Sequence, residues 1–212
     1  MKDKLTNNYP EFISALNMLS SYWKGDAGKW LLGGSCSLWL QGVKLAAPPR
    51  DIDVYADPEE SKILHKRLSE VATDEPRLDQ SGFYTSLLSH YQSGGLTIEL
   101  VGGFEIRSQD AFYRTEVTEV LSKYSSMHRL DDAEIHLMPL AHEFVFNILR
   151  GRPDRYLAIA EVIRREPDRH LPLLSVLLRR NEWTADIVAK MAEVLDRPLL
   201  SQPWREHRPS ED

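Results

Sequence analysis

A strand, a glycine turn, a helix and a second strand follow one another early in the chain. An apolar run ends in two glycines, KWLLGG, which is typical of a buried strand that stops at Gly33 and Gly34. The next segment, SCSLWLQGV, has helical spacing, and Ser35 is its expected N-cap. In RDIDVYAD apolar side chains alternate with Asp51 and Asp53, so we expect both aspartates on the same side of a second strand.

Similar patterns continue along the chain and predict an α/β (α+β) protein. Helices are predicted after Pro10 and Pro58, and two strand-like runs, GFYTSLLSHYQ and LTIELVG, are joined by a turn at Ser93–Gly95. Further strand-like pieces are FEIRS, FYRTEV and AEIHLM, and the last third of the chain has helical spacing throughout. We therefore predict an α/β domain with a sheet and helices in residues 1–138 and a helical region in residues 139–212.

Length, charge and cysteine content narrow the class of protein. The chain has 212 residues and a net charge of -6, which argues against a large binding surface for duplex DNA. It has neither the roughly 18 consecutive apolar residues of a membrane-spanning helix nor the apolar centre of a secretory signal. The single cysteine, Cys36, can form no internal disulfide, in agreement with a reducing compartment. We therefore predict a cytoplasmic protein that binds neither membranes nor duplex DNA.

The glycine turn is a candidate phosphate site. Gly33 and Gly34 allow a tight turn that leaves the amides of the following helix unobstructed, and such amides bind phosphate through their partial positive charge. Ser35 adds a hydroxyl donor. An ordinary turn between a strand and a helix has the same sequence, so the glycines alone do not distinguish the two interpretations.

The aspartate pair is a candidate metal site. Asp51 and Asp53 flank one apolar residue on a predicted strand, and this arrangement forms a rigid platform for a hard divalent cation such as Mg²⁺. The alternative is a solvated strand edge that carries two acids, which repulsion between like charges mildly disfavours.

Taken in order, the LLGGS turn, the helix and the RDIDVY strand resemble the nucleotidyltransferase fold of the DNA polymerase β type. In that superfamily a Gly-Gly or Gly-Ser turn holds the triphosphate, and an acid-x-acid strand, often preceded by arginine, binds the metals. The resemblance implies a nucleotidyltransferase-fold mixed sheet in which Gly33, Gly34, Ser35 and Arg50 bind the nucleotide.

The superfamily usually carries a third carboxylate on a later strand. Glu99 lies between Ile98 and Leu100 in LTIELVGG, and an acid inside an apolar run has few structural explanations. A solvent-facing glutamate on an edge strand is the alternative. Glu105 in FEIRS is the second candidate.

The resemblance implies Mg²⁺-dependent nucleotidyl transfer with release of pyrophosphate. Asp51 and Asp53 would hold one Mg²⁺ against the triphosphate, and Glu99 would share a second or act as the general base. The substrates would be an NTP and an unidentified acceptor, which is a small molecule, a protein or an RNA. The sequence is also compatible with a homo-oligomer.

The segment IHLMPLAHEFVFNILRGRPDRYLAIAEVI looks like one in small bacterial nucleotidyltransferase-like proteins related to aminoglycoside nucleotidyltransferases and type IV toxins. There a helix bears a lysine, and Asn147 stands at that position here. Arg150, Arg152 or Arg155 could supply the charge, and solvated arginines at helix ends are the alternative. The missing lysine leaves a second function open: a non-catalytic interaction protein with this fold, such as a toxin-antitoxin component.

Overall fold

The protein is described by a computed structural model that covers residues 9–24, 29–108, 110–130 and 133–198. Eight strands are present in these residues: β1 (Trp30–Gly33), β2 (Asp51–Ala56), β3 (Arg77–Asp79), β4 (Tyr84–Ser93), β5 (Leu96–Ser108), β6 (Ala111–Arg114), β7 (Ser126–Leu130) and β8 (Ala133–Leu137). The α-helices are α1 (Pro10–Tyr22), α2 (Gly34–Leu40), α3 (Pro58–Arg67), α4 (Leu140–Leu149), α5 (Pro153–Arg165), α6 (Pro167–Arg180) and α7 (Ala185–Leu195).

The strands form one mixed sheet in the order β3-β4-β5-β2-β1-β8-β7, and β6 pairs with β5. Strand β2 is antiparallel to β1 and parallel to β5, and β1 is parallel to β8. The predicted fold class, a mixed sheet flanked by helices with a helical C-terminal part, is confirmed. The segments LTIELVG and FEIRS, however, belong to the single strand β5, which passes through Gly103 with a φ of 58°.

The two faces of the sheet are covered by different helices. On one face, buried side chains such as Leu32 and Ile52 pack against α1 and α3. On the opposite face, Leu31, Tyr55 and Val101 share an apolar core with α4 to α7. The alternation follows from the period of two along a strand. The boundary between residues 138 and 139 as a domain limit stays a prediction.

The face covered by α4 to α7 also carries the candidate acids. Asp53 lies two residues before Tyr55, so the two side chains are on the same face of β2. Glu99 lies two residues before Val101 and shares its face of β5 in the same way. Tyr55 and Val101 are buried, whereas both acids are half-buried. The helices therefore cover the apolar end of this face and leave the acids at the open end. No helix among the described residues has the length and apolar character that crossing a membrane requires.

Candidate active site

The glycine turn lies against strand β2. As predicted, β1 ends at Gly33. The helix begins at Gly34, whose φ of 58° lies in the left-handed region that favours glycine. A Cβ atom at Gly34 would overlap the carboxylate of Asp53, so only glycine lets the turn approach this aspartate so closely. The prediction of Ser35 as N-cap is wrong: Gly33 is the N-cap, and Ser35 lies in the first turn of α2. The glycine pair starts the helix two residues earlier than the pattern suggested.

The three predicted acids line one cavity. In the parallel register of β2 and β5, Asp53 is directly opposite Glu99. These two and Asp51 line a cavity of about 290 Å³ together with Gly34 and Ser35. Residues from two strands and from the glycine turn are thus brought together at the open end of the sheet face.

The remaining candidates lie around this cavity. Gly33 is at the end of β1, opposite Asp53 in the antiparallel pair. Arg50 lines a neighbouring cavity of about 360 Å³, which shares Ser35, Asp51, Arg152 and Arg155 with the first. The apolar wall of this neighbouring cavity consists of Leu45, Ala46, Ala47 and Pro48. Glu105, the second candidate for the third acid, is opposite Arg114 on β6 and does not line either cavity.

The acids create an excess of negative charge in the cavity. Burial, together with the charges of Asp51 and Glu99, raises the pKa of Asp53 from 3.8 to about 7, while Arg150 and Arg155 oppose the shift. Burial also raises the pKa of Glu99. In the part of the chain that the structure describes, none of the three acids has an ion-pair partner within 4 Å. A bound cation would therefore be stabilised here.

Glu143 is a fourth carboxyl group in the cavity, and the sequence analysis missed it. It lies in the first turn of α4, is only 2% exposed, and its Oε1 accepts a hydrogen bond of 2.8 Å from the N–H of Gly34. Burial raises its pKa to about 8, the hydrogen bond from Gly34 opposes this shift, and the charge of Asp53 adds to it. The sequence feature that could have revealed Glu143 is its place in LAHEFVFNIL, a helix that is otherwise apolar on almost every side.

Three arginines and Asn147 also line the cavity. Asn147 is buried, and its Nδ2 donates to the carbonyl oxygen of Glu143 at 2.8 Å. Arg150, Arg152 and Arg155 all line the cavity, so each candidate substitute for the missing lysine is near the acids. Arg152 is the least available of the three, because its guanidinium makes a bidentate pair with Asp154 at 3.0 and 2.8 Å.

The donor set fits a divalent cation whose remaining ligands are water or phosphate oxygens. Among the described residues, no three or more His, Cys, Asp or Glu side chains form a ready-made metal group. Mg²⁺ usually takes only one or two carboxylates and completes its shell with phosphate oxygens and water. Asp51 and Asp53 supply such carboxylates, and the missing Cβ atom of Gly34 gives the Asp53 carboxylate its room.

We expect the substitution Asp51→Asn to leave the fold intact and to raise the melting temperature slightly. The charge of Asp51 raises the pKa of Asp53, so its removal relieves repulsion between neighbouring acids. The expected gain in the free energy of unfolding is at most about 1 kcal/mol. Thermal unfolding in the absence of divalent cations measures it, and a large loss would mean that Asp51 serves the fold.

Solved structures with the same fold include nucleotidyltransferases. A proposed nucleotidyltransferase from Thermotoga maritima is 23% identical and superposes with a TM-score of 0.59 over 76% of this chain and 94% of that chain. The antibiotic-resistance factor ANT(2'')-Ia is 7% identical, with a TM-score of 0.49 over 78% of this chain and 90% of that one. No protein-family model matches the sequence, and no curated protein matches it significantly. The likeness to the Thermotoga maritima protein shows that the chain has the nucleotidyltransferase fold, as its motifs predicted.

Proposed function

We propose that the protein transfers a nucleoside monophosphate from an NTP to an acceptor in a Mg²⁺-dependent reaction. The observation that supports this function is the single cavity in which Asp51, Asp53 and Glu99 meet the Gly34–Ser35 turn of a nucleotidyltransferase fold. The bond between the α- and β-phosphates would break, a bond from the α-phosphorus to the acceptor oxygen or nitrogen would form, and pyrophosphate would leave.

The acids hold the cation and the proton in this proposal. Asp51 and Asp53 would hold Mg²⁺, which neutralises phosphate charge and lowers the pKa of the attacking hydroxyl when it is bound. Glu99, directly opposite Asp53, would either share a second cation or accept the proton of the acceptor. Burial raises the pKa of Glu99, which brings this carboxyl closer to the range of a useful general base.

The turn and the arginines hold the triphosphate. The N–H of Gly34 is engaged by Glu143, so we assign the phosphate contact at the turn to the Ser35 hydroxyl and give Gly34 the role of leaving room for the Asp53 carboxylate. Arg150 and Arg155 would neutralise the leaving pyrophosphate in place of a lysine, since a guanidinium binds phosphate oxygens in a bidentate manner. Arg50, in the neighbouring cavity, would contact another part of the nucleotide.

A second candidate function is a non-catalytic interaction protein with this fold, such as a toxin-antitoxin component. Two observations favour it: Asn147 replaces the expected lysine, and Glu143 already occupies the N–H of Gly34.

In the catalytic proposal the reaction takes place in the cytoplasm, on a small molecule, a protein or an RNA end.

Isothermal titration with Mg²⁺ and each NTP tests the catalytic proposal. The wild-type protein is expected to bind at least one NTP, and Asp53→Asn is expected to weaken this binding by about a hundredfold, or about 2.8 kcal/mol. Glu105→Gln is the matched control, because it removes an acid from the same sheet outside the cavity. Equal titration of the wild type and Asp53→Asn would favour the interaction protein instead.

A further inference from the structure

Asp74 holds His90 on strand β4 by two hydrogen bonds. The backbone N–H of His90 donates to Asp74 Oδ1 at 2.6 Å, and His90 Nδ1 lies 2.7 Å from Asp74 Oδ2. The N–H and the hydroxyl of Thr73 both donate to the carbonyl oxygen of His90, at 2.9 and 3.1 Å. The two side chains are only 24% and 27% exposed. The imidazole is thus fixed through its backbone and through one ring nitrogen.

The sheet register places this imidazole beside the third acid of the site. His90 is directly opposite Glu99 in the β4–β5 pair, and Glu99 is directly opposite Asp53 in the β5–β2 pair. Directly opposite residues in an antiparallel pair point to the same face, with Cβ atoms about 4.5–5.5 Å apart. Glu99 therefore has the fixed imidazole on one side and Asp53 on the other. His90 does not line the cavity itself, so it acts on the site through Glu99.

The charge environment agrees with this arrangement. Burial raises the pKa of the Glu99 carboxyl, His90 opposes this shift, and Asp51 adds to it. The opposing effect of His90 agrees with its position directly opposite Glu99.

We infer that His90, held by Asp74, is a positioning residue that directs the Glu99 carboxylate toward Asp53 and the cavity. A glutamate side chain has several rotatable bonds, and in this proposal the fixed ring opposite Glu99 occupies the space toward β4. The inference rests on the proposed nucleotidyl transfer, in which Glu99 must be aimed at the cation and the acceptor. Partners that orient a metal-binding side chain typically change affinity or activity about 10- to 100-fold.

A second histidine offers a matched control. His65 also pairs with a carboxylate, Glu75, at 3.3 Å, and its Nδ1 lies 2.8 Å from the hydroxyl of Tyr91. Tyr91 belongs to the apolar core on the opposite face of the sheet. A substitution of His65 therefore disturbs a similar pair without touching the face that carries Glu99.

The test is Mn²⁺ binding, measured by electron paramagnetic resonance of the free ion, together with the melting temperature of each variant. His90→Gln and Asp74→Asn are each expected to weaken Mn²⁺ binding about tenfold. His65→Gln is expected to lower the melting temperature and to leave Mn²⁺ binding unchanged. The use of two variants keeps the test decisive if one of them fails to fold.

Two results would overturn the inference, and only the second of them would also overturn the proposed function. If Asp53→Asn loses Mn²⁺ while both His90→Gln and Asp74→Asn bind it like the wild type, only the positioning role fails. If Asp53→Asn itself binds Mn²⁺ like the wild type, the proposed function fails, and the role of His90 fails with it.

Discussion

Glu143→Gln is expected to raise the free energy of unfolding at pH 8 by roughly 4 kcal/mol, because one pKa unit corresponds to about 1.4 kcal/mol. Burial raises the pKa of this carboxyl from 4.5 to about 8, despite the opposing hydrogen bond from Gly34. The folded protein therefore holds a proton that the unfolded chain releases, and this difference destabilises the fold at alkaline pH. Glutamine keeps an oxygen that accepts the N–H of Gly34 and has no proton to lose.

The sign of the pH dependence follows from the protons bound in each state. Below about pH 4 the Glu143 carboxyl is protonated in both states, and between about pH 4.5 and 8 it is protonated only in the folded state. The free energy of unfolding of the wild type therefore falls as the pH rises through this window. Asp53, with a pKa raised to about 7, contributes in the same direction. Asp53 also raises the pKa of Glu143, so the two contributions are coupled and do not simply add.

Thermal unfolding at pH 4.5, 6.5 and 8 without divalent cations measures this effect. The melting temperatures of wild type and Glu143→Gln are expected to be nearly equal at the lowest pH and to differ by about 10 °C at pH 8, since 1 kcal/mol shifts a protein of this size by about 2–4 °C. Glu134→Gln serves as the control, because Glu134 is exposed and pairs only with Arg129 at the surface. A constant difference between wild type and Glu143→Gln at all three pH values would mean that Glu143 is not held in its neutral form.

Local patterns predicted the parts of the site that adjacent residues determine. The glycine turn was predicted because an apolar run stops at Gly33 and Gly34, and the position of Asp51 and Asp53 followed from the period of two along a strand. Glu99 was chosen as the third acid because it lies within an apolar run, and that run belongs to β5, which lies inside the sheet. These signals lie within a few residues, so they do not depend on how the rest of the chain folds.

The rest of the fold and of the site depends on contacts between distant segments, which a single sequence does not reveal. Glu143 and Gly34 are hydrogen-bonded although they are 109 positions apart in the sequence. No pattern in either segment predicts contact with the other. The place of His90 beside Glu99 follows from the register of two strands rather than from its own neighbours. The short edge strand β3 was missed because it has only three residues, and its Leu78 is exposed, which leaves no alternation to detect.

Gly34→Ala is expected to destabilise the protein by about 3–4 kcal/mol and to abolish cation binding. The left-handed conformation with a φ of 58° costs an L-residue about 1–2 kcal/mol. In addition, the new Cβ atom would overlap the Asp53 carboxylate, and inserting a group into a filled space typically costs about 1–3 kcal/mol. Asp53 lies on a strand in the middle of the sheet, so it can yield only by turning its carboxylate away from the cavity.

Gly42→Ala separates the two contributions. Gly42 has a φ of 78°, and a Cβ atom there would meet nothing within 4 Å, so this substitution adds backbone strain alone. Urea unfolding of both variants should therefore show a loss about 2 kcal/mol larger for Gly34→Ala, and the difference measures the overlap with Asp53. Mn²⁺ titration should show normal binding for Gly42→Ala and none for Gly34→Ala. If both variants lose the same free energy of unfolding and bind Mn²⁺ equally, a Cβ atom at residue 34 does not overlap Asp53. The close contact between the turn and Asp53 would then play no part in cation binding.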